Sequence, residues 1–125
     1  MVYLECDTTI VQTAKKRGSK RDLASYKASE VIYYKLDTIN GRFISIGEWN
    51  DVTIANGVAS DQIDVVENGV TMRGEFSLQF SPPGKLFIDH AASEDDVLLR
   101  TVLKGTCQDS DRETVEKGIA KAKKS

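Results

Sequence analysis

The residues with the most specific chemistry in this chain are its two cysteines, Cys6 and Cys107. An even number of cysteines is compatible with a disulfide. Each shares the alternation of nearby apolar residues, Cys6 with Leu4 and Cys107 with Leu103, so both are predicted to face a protein interior. If the strands that carry them are neighbours, their side chains are within reach of a disulfide. We therefore predict a bond between Cys6 and Cys107; the alternative is a pair of reduced, buried cysteines.

The redox state of the cysteines also bears on the compartment. Disulfides persist in oxidising surroundings, so a bonded pair predicts a periplasmic or secreted protein, whereas free thiols predict a cytoplasmic one. No apolar segment of the signal-peptide type follows Met1, and no run approaches the ~18 apolar residues of a membrane span. Met1 would then either begin an intracellular protein or precede a mature segment whose signal was removed.

Other residues that could do chemistry form weaker patterns. The sequence has no phosphate-binding loop, no His-Glu-x-x-His zinc motif and no Gly-x-Ser-x-Gly nucleophile elbow. The single histidine, His90, stands beside Asp89 and near the acidic 94–96 segment, but one imidazole is a weak basis for a metal site. The acidic residues of the 61–67 segment are interpreted as a solvated strand face. We predict no catalytic residue, no metal site and no cofactor, and we favour a protein that is not an enzyme.

A basic segment is the remaining candidate site. The candidate residues are five of the six cations within residues 13–29, a stretch with little apolar periodicity that is predicted to be a solvated loop. They are Lys15, Lys16, Arg17, Lys20 and Arg21. Such a cluster could bind phosphate or nucleic acid. However, Tyr26 is the only aromatic residue there, whereas proteins that bind single strands usually interleave several stacking rings. The net charge of the chain, -2, does not predict a polyanion partner either. We therefore favour a solvated patch over a nucleic-acid site.

The elements that must position these residues are strands. Residues 70–80 alternate between apolar and polar side chains without a break. Because successive side chains of a strand point to opposite faces, this pattern predicts a long strand with one buried and one solvated face. Phe76 and Leu78 belong to the predicted buried face, and Glu75 belongs to the solvated one.

Turn residues on both sides of this strand predict two hairpins. The Asn-Gly pair at 68–69 suits a two-residue turn, which would place Val65 opposite Met72. The proline-containing turn after residue 80 would place Phe76 opposite Ile88, because this register keeps apolar side chains together. Three consecutive strands joined in this way form an antiparallel meander.

A further Asn-Gly pair, at 40–41, predicts a hairpin over residues 31–46. A three-residue loop with a bulge would place Leu36 opposite Ile44. We prefer this loop to a two-residue one, which would place Leu36 opposite Ser45.

Together these patterns predict one domain over residues 1–125, of the all-β class and mainly antiparallel. Seven or eight strands in a meander would form a small closed barrel or a flattened sandwich. Residues 110–124 change to helical spacing and predict a short C-terminal helix with Ser110 as its N-cap.

The layout resembles lipocalin-type barrels, and Gly47-Glu48-Trp49 is similar to their Gly-x-Trp triplet. Because the triplet follows the third predicted strand instead of lying on the first, it assigns no family, and Trp49 is interpreted as buried or packed at the rim.

The sequence favours binding over catalysis. The preferred hypothesis is a small non-catalytic β-barrel module that recognises a ligand or a partner protein through its loops. The alternative is a structural or assembly protein, of the kind found in phages and virions, that forms homo-oligomers through its sheet edges. Large residues predicted to point inward, including Phe76, Leu78 and Leu99, would leave little room inside a barrel. Recognition at the surface is therefore favoured, and the partner's identity stays open.

Overall fold

The computed structural model describes residues 1–19 and 21–124, which form one antiparallel sheet and a helix. The strands are β1 Val2–Lys16, β2 Asp22–Asp37, β3 Arg42–Ile44, β4 Asn50–Asp51, β5 Thr53–Ala55, β6 Val58–Glu67, β7 Val70–Phe80, β8 Pro83–Glu94 and β9 Val97–Asp109, and helix α1 is Arg112–Lys124. Their order in the sheet is β4-β3-β2-β1-β9-β8-β7-β6-β5. The all-β prediction is confirmed, with nine strands instead of seven or eight, two of which, β4 and β5, are very short.

The sheet curls into a nearly closed barrel. Its two ends, β4 and β5, are separated along the chain only by Val52, whose amide donates a hydrogen bond to the Gly41 carbonyl (2.9 Å). The other closing contact is the pairing of β1 with β9, which the meander prediction requires. Among the described residues, however, β3 covers only residues 35–37 of the β2 edge, and β5 covers only residues 58–60 of the β6 edge. Beyond these short pairings the barrel has an open side, bordered by β2 and β6.

The core fills the closed end of the barrel. Leu4, Leu36 and Leu78 are fully buried there. The ring of Phe43 stacks on that of Phe76, with centroids 4.7 Å apart, so the walls meet across the interior. The prediction that Leu99 points into the core is wrong, since this side chain is 51% exposed. Leu99 is on the inner face by its position in the strand, but it lies beyond the end of the core, opposite Ala14 of β1.

The predicted faces and registers of the central hairpins are confirmed. Phe76 is buried and Glu75 is exposed. Val65 lies opposite Met72, and Phe76 lies opposite Ile88. The turn at 68–69 has positive φ at both residues, as a tight turn between twisted strands requires.

The hairpin between β2 and β3 differs from the prediction. Leu36 lies opposite Phe43 instead of Ile44, so the loop has four residues. The cause is the carboxylate of Asp37, which accepts hydrogen bonds from the backbone amides of residues 39 and 40, both at 3.1 Å. This side-chain turn competes with the bulged loop and lengthens the connection.

The predicted loop over residues 13–29 is wrong for most of its length. β1 continues to Lys16 and β2 begins at Asp22, so the segment is the outer part of one long hairpin. Its side chains are mostly exposed, because it extends beyond the core. Backbone hydrogen bonds hold the two strands together beyond the core, where no apolar face is needed. The sequence therefore lacks the apolar–polar alternation that would predict a strand there. β8 likewise continues to Glu94, which leaves a short acidic turn before β9.

Helix α1 confirms the predicted C-terminal helix, but its cap is different. Asp111, instead of Ser110, accepts a hydrogen bond from the amide of Thr114 (2.8 Å). The helix packs mainly on β2, and its Val115 is fully buried. An ion pair between Lys35 and Glu116 of α1 (2.9 Å) adds to this contact.

Candidate site at the open edge of the barrel

A cleft of about 870 Å³ lies beside the unpaired part of β2. We call it the edge cleft. It is lined by residues 30–34 of β2, by Ser45 and Ile46 after β3, by Ile88 of β8, and by residues of α1 that include Lys117 and Lys121. Its volume is within the range of clefts that bind ligands. The sequence did not predict this site.

The backbone of β2 points unpaired groups into the edge cleft. The Cα atoms of Cys6 and Cys107 are only 4.0 Å apart, which identifies a pair without direct backbone hydrogen bonds between β1 and β9. The backbone groups of Cys6 must then point to its neighbour on β2, Ile32, whose own groups point back to β1. It follows that the N–H and C=O groups of Val31 and Tyr33 point to the other side, away from β1. No strand pairs with them there within residues 1–19 and 21–124.

The side chains of the cleft combine apolar walls with polar groups. Ile32 and Ile88 lie on the core face of their strands. Tyr34 is buried, and this burial raises the pKa of its hydroxyl, with a smaller contribution from the Glu30 carboxylate. Tyr34 therefore stays neutral at ordinary pH and can donate a hydrogen bond. This arrangement can bind an amphipathic partner.

The cysteine pair lies in the core instead of the cleft. Cys6 and Cys107 are opposite each other on β1 and β9 and are joined as a disulfide. Both are buried, at 0% and 4% exposure. The bond ties the first strand to the last at the place where the barrel closes, so its role is structural.

The described cations of the basic segment, residues 15–17 and 21, lie at the tip of the β1–β2 hairpin, away from the edge cleft. A depression of about 370 Å³ is lined there by residues 15–19 together with Ser93, Val97 and Leu98. The acidic turn 94–96 is directly beside it, since the amide of Arg17 donates to the carbonyl of Asp96. These acids reduce the positive potential of the patch. The preference for a solvated patch over a nucleic-acid site stays a prediction.

The described members of the basic segment differ slightly in exposure. Lys16, Arg17 and Arg21 are exposed, and Lys15 is partly buried. Lys20 lies outside the described residues.

His90 and its acidic neighbour are on opposite faces of β8. Asp89 accepts two hydrogen bonds from the guanidinium of Arg100 (2.8 and 3.1 Å). These bonds hold the pKa of Asp89 below its usual range. The Nδ1 atom of His90 is buried and has no hydrogen-bond partner among the residues that the structure describes. In the described part of the chain, no three His, Cys, Asp or Glu side chains are arranged to hold a metal ion.

The acidic residues of β6 are exposed, but they do not share one face of the strand: two lie opposite Phe76 and Val70 on the core side of the sheet, and one lies opposite Arg73 on the outer side. They are Asp61, Asp64 and Glu67. Asp64 forms an exposed ion pair with Arg73 at 3.5 Å.

Trp49 is partly buried, and the guanidinium of Arg42 lies over its ring, 4.5 Å from the centroid. The side chain thus packs at the rim, one of the two positions expected for it.

No protein-family model, curated protein or solved structure matches this chain. None of the helices in the described residues is long and apolar enough to cross a membrane. The function must therefore be inferred from the geometry of the site itself.

Proposed function

We propose that this protein is a small non-catalytic binding module that holds an extended polypeptide segment of a partner protein in the edge cleft. The observation that carries the proposal is the unpaired edge of β2 at residues 30–34, where the backbone groups of Val31 and Tyr33 face a cleft of about 870 Å³. A segment that lies in the cleft would continue the sheet by hydrogen bonding to these groups. Strand addition of this kind is a recurring mode of peptide recognition.

The walls of the cleft favour a segment of alternating character. Ile32 and Ile88 offer an apolar surface on the core side, and α1 brings Lys117 and Lys121 to the outer side. Because side chains alternate along a strand, a segment with apolar residues at every second position and acidic residues between them fits both walls. Five residues of β2 line the cleft, so the bound part would be about five to seven residues long at ~3.3 Å per residue.

The proposal includes export to an oxidising compartment, either periplasmic or extracellular. The Cys6–Cys107 pair supports it, because disulfides of this kind are rare in the cytosol. Recognition through a strand edge also replaces the loops of the sequence-based hypothesis as the proposed binding element.

The experiment is a selection from a phage-displayed library of short linear peptides against the oxidised wild-type protein. We expect the selected peptides to slow hydrogen exchange at the amides of Val31 and Tyr33. Val31→Pro removes one edge amide while keeping the bonds of β2 to β1, and it should weaken binding about tenfold or more. Ser25→Pro is the matched control on the same edge outside the cleft, and it should bind the peptides normally.

Two results would overturn this function. One is a selection that enriches no peptide over an unrelated β protein. The other is peptides that bind Val31→Pro as tightly as the wild type, since the edge amide would then have no part in recognition.

A further inference from the structure

Two long strand edges that pair with no other described strand border the open side of the barrel. One is the part of β2 beyond its pairing with β3, and the other is residues 61–67 of β6 beyond its pairing with β5. Both edges carry exposed apolar side chains: Leu23 (63%) and Tyr26 (57%) on β2, and Val65 (47%) and Val66 (71%) on β6. Open edges with apolar residues are templates for pairing with another chain.

The backbone of β6 points alternate groups out of the barrel. Glu67 pairs with Val70 across a two-residue turn, so the groups of Glu67 point to β7. The groups of Asp64 and Val66 therefore point to the open side, in the same sense as those of Ser60, which pairs with β5. The backbone amide of Gln62, the next along this edge, already donates a hydrogen bond to the Asp61 carboxylate (2.9 Å).

We propose that two copies of this chain form a closed dimer in which β2 of each copy pairs with β6 of the other. Five antiparallel steps lead from β2 through β1, β9, β8 and β7 to β6, so β2 and β6 run in opposite directions. A two-fold axis parallel to the strands preserves these directions. It brings β2 beside the partner's β6 and β6 beside the partner's β2 at once, and both contacts are antiparallel.

Charge and face select the register. β6 carries three acids along its open edge, and Lys27 is the cation on the facing part of β2. Placing Lys27 opposite Asp64 puts two outward side chains of opposite charge together. The same register places Tyr26 opposite Val65 on the inner face, which is a favourable aromatic–β-branched pair. The same register places the carboxylates of Glu30 and Asp61 opposite each other, so the preference for a second copy over an unrelated partner rests on the backbone pairing, the matched faces and the Lys27–Asp64 pair.

The test measures the mass of the oxidised protein by sedimentation over the micromolar range. The wild type should shift from 13.8 kDa to twice that value as concentration rises. Lys27→Glu and Asp64→Lys should each raise the dimer dissociation constant about tenfold or more, and the double swap should restore it. Lys104→Glu, on a strand with neighbours on both sides, makes the same charge change as Lys27→Glu and should have no effect.

A wild type that stays monomeric at every concentration overturns the dimer. A dimer that persists in both single variants, or a double swap that fails to restore it, overturns the assignment to these edges. The dimer is independent of the peptide site: Ser25→Pro should weaken dimerisation and spare peptide binding, because Ser25 lies on the open edge outside the cleft. A Ser25→Pro protein that dimerises normally would contradict the pairing.

Discussion

The ring of Tyr33 fills the space that a Cβ atom on Gly118 would need. Glycine inside a helix costs about 1 kcal/mol relative to alanine, and the helical pattern of the sequence offers no reason for it. The reason lies in the approach of α1 to β2. Burial, with a smaller contribution from the nearby Glu5 carboxylate, raises the pKa of the Tyr33 hydroxyl. The contact sets the position of the helix that forms one wall of the edge cleft.

The first prediction is that Gly118→Ala destabilises the protein even though it improves the helix. Steric overlap with Tyr33 should lower the free energy of unfolding by about 1 to 3 kcal/mol, as measured by urea denaturation. In a Tyr33→Ala background the same change should become neutral or stabilising, by up to ~1 kcal/mol. A stabilising effect of Gly118→Ala in the wild-type background would contradict the close contact.

The second prediction uses the two faces of β7. Phe76→Asp removes a ring that stacks on Phe43 and buries a carboxylate in the core, so it should lower the free energy of unfolding by about 3 to 5 kcal/mol. Glu75→Lys, on the exposed face of the next residue, is the control and should change it by less than ~0.5 kcal/mol. Similar shifts of the urea midpoint in the two variants would mean that the faces are reversed.

The registers of β6, β7 and β8 could be predicted because the information is local. An Asn-Gly turn and a run of alternating residues fix both the pairing and the buried face, and Val65 opposite Met72 follows from them. The register of the hairpin between β2 and β3 was harder to predict. Its loop depends on the Asp37 carboxylate, whose preference for capping nearby amides competes with the glycine signal of the loop.

The third prediction concerns the pH dependence of this turn. The hydrogen bond from the Asn40 side chain, with further bonds from backbone amides and Arg42, lowers the pKa of Asp37 to about 2 from its ordinary 3.8. A lowered pKa in the folded state means that the carboxylate adds stability above pH 3.8, which is lost as the pH falls towards 2. Asp37→Asn should therefore unfold more easily than the wild type at pH 6, and the difference should shrink between pH 4 and pH 2.

Urea midpoints measured at several pH values check this prediction. Asp61→Asn is the matched control, because Asp61 is an exposed acid that caps only the amide beside it. If the difference between the wild type and Asp37→Asn were constant down to pH 2, the turn would not depend on the ionised carboxylate.

The edge cleft could not be predicted, because it results from the unequal lengths of neighbouring strands. β2 has sixteen residues, whereas β3 has three. No local pattern states that β3 ends early, since Ile44 and Ile46 continue the apolar alternation of a strand. The only hint is the Gly47 that follows. Which residues then face the open edge depends on the position of α1, about eighty residues away in the chain.

The last prediction is that the Cys6–Cys107 bond contributes several kcal/mol to stability. It closes a loop with a sequence separation of 101, for which the loss of chain entropy in the unfolded state gives about 4.7 kcal/mol as an upper figure. Reduction of the wild type should remove most of this amount while keeping both side chains in the core. Cys6→Ala with Cys107→Ala should remove more, because it also empties space between buried strands.

Urea unfolding of the oxidised, reduced and double-alanine proteins measures the two contributions separately. Intact mass of protein isolated from its natural source tests the bond itself, since the oxidised chain is two hydrogens lighter than the reduced one. Equal midpoints for the oxidised and reduced forms would show that the cross-link adds no stability. Two free thiols in the natural protein would remove the disulfide and, with it, the support for an oxidising compartment.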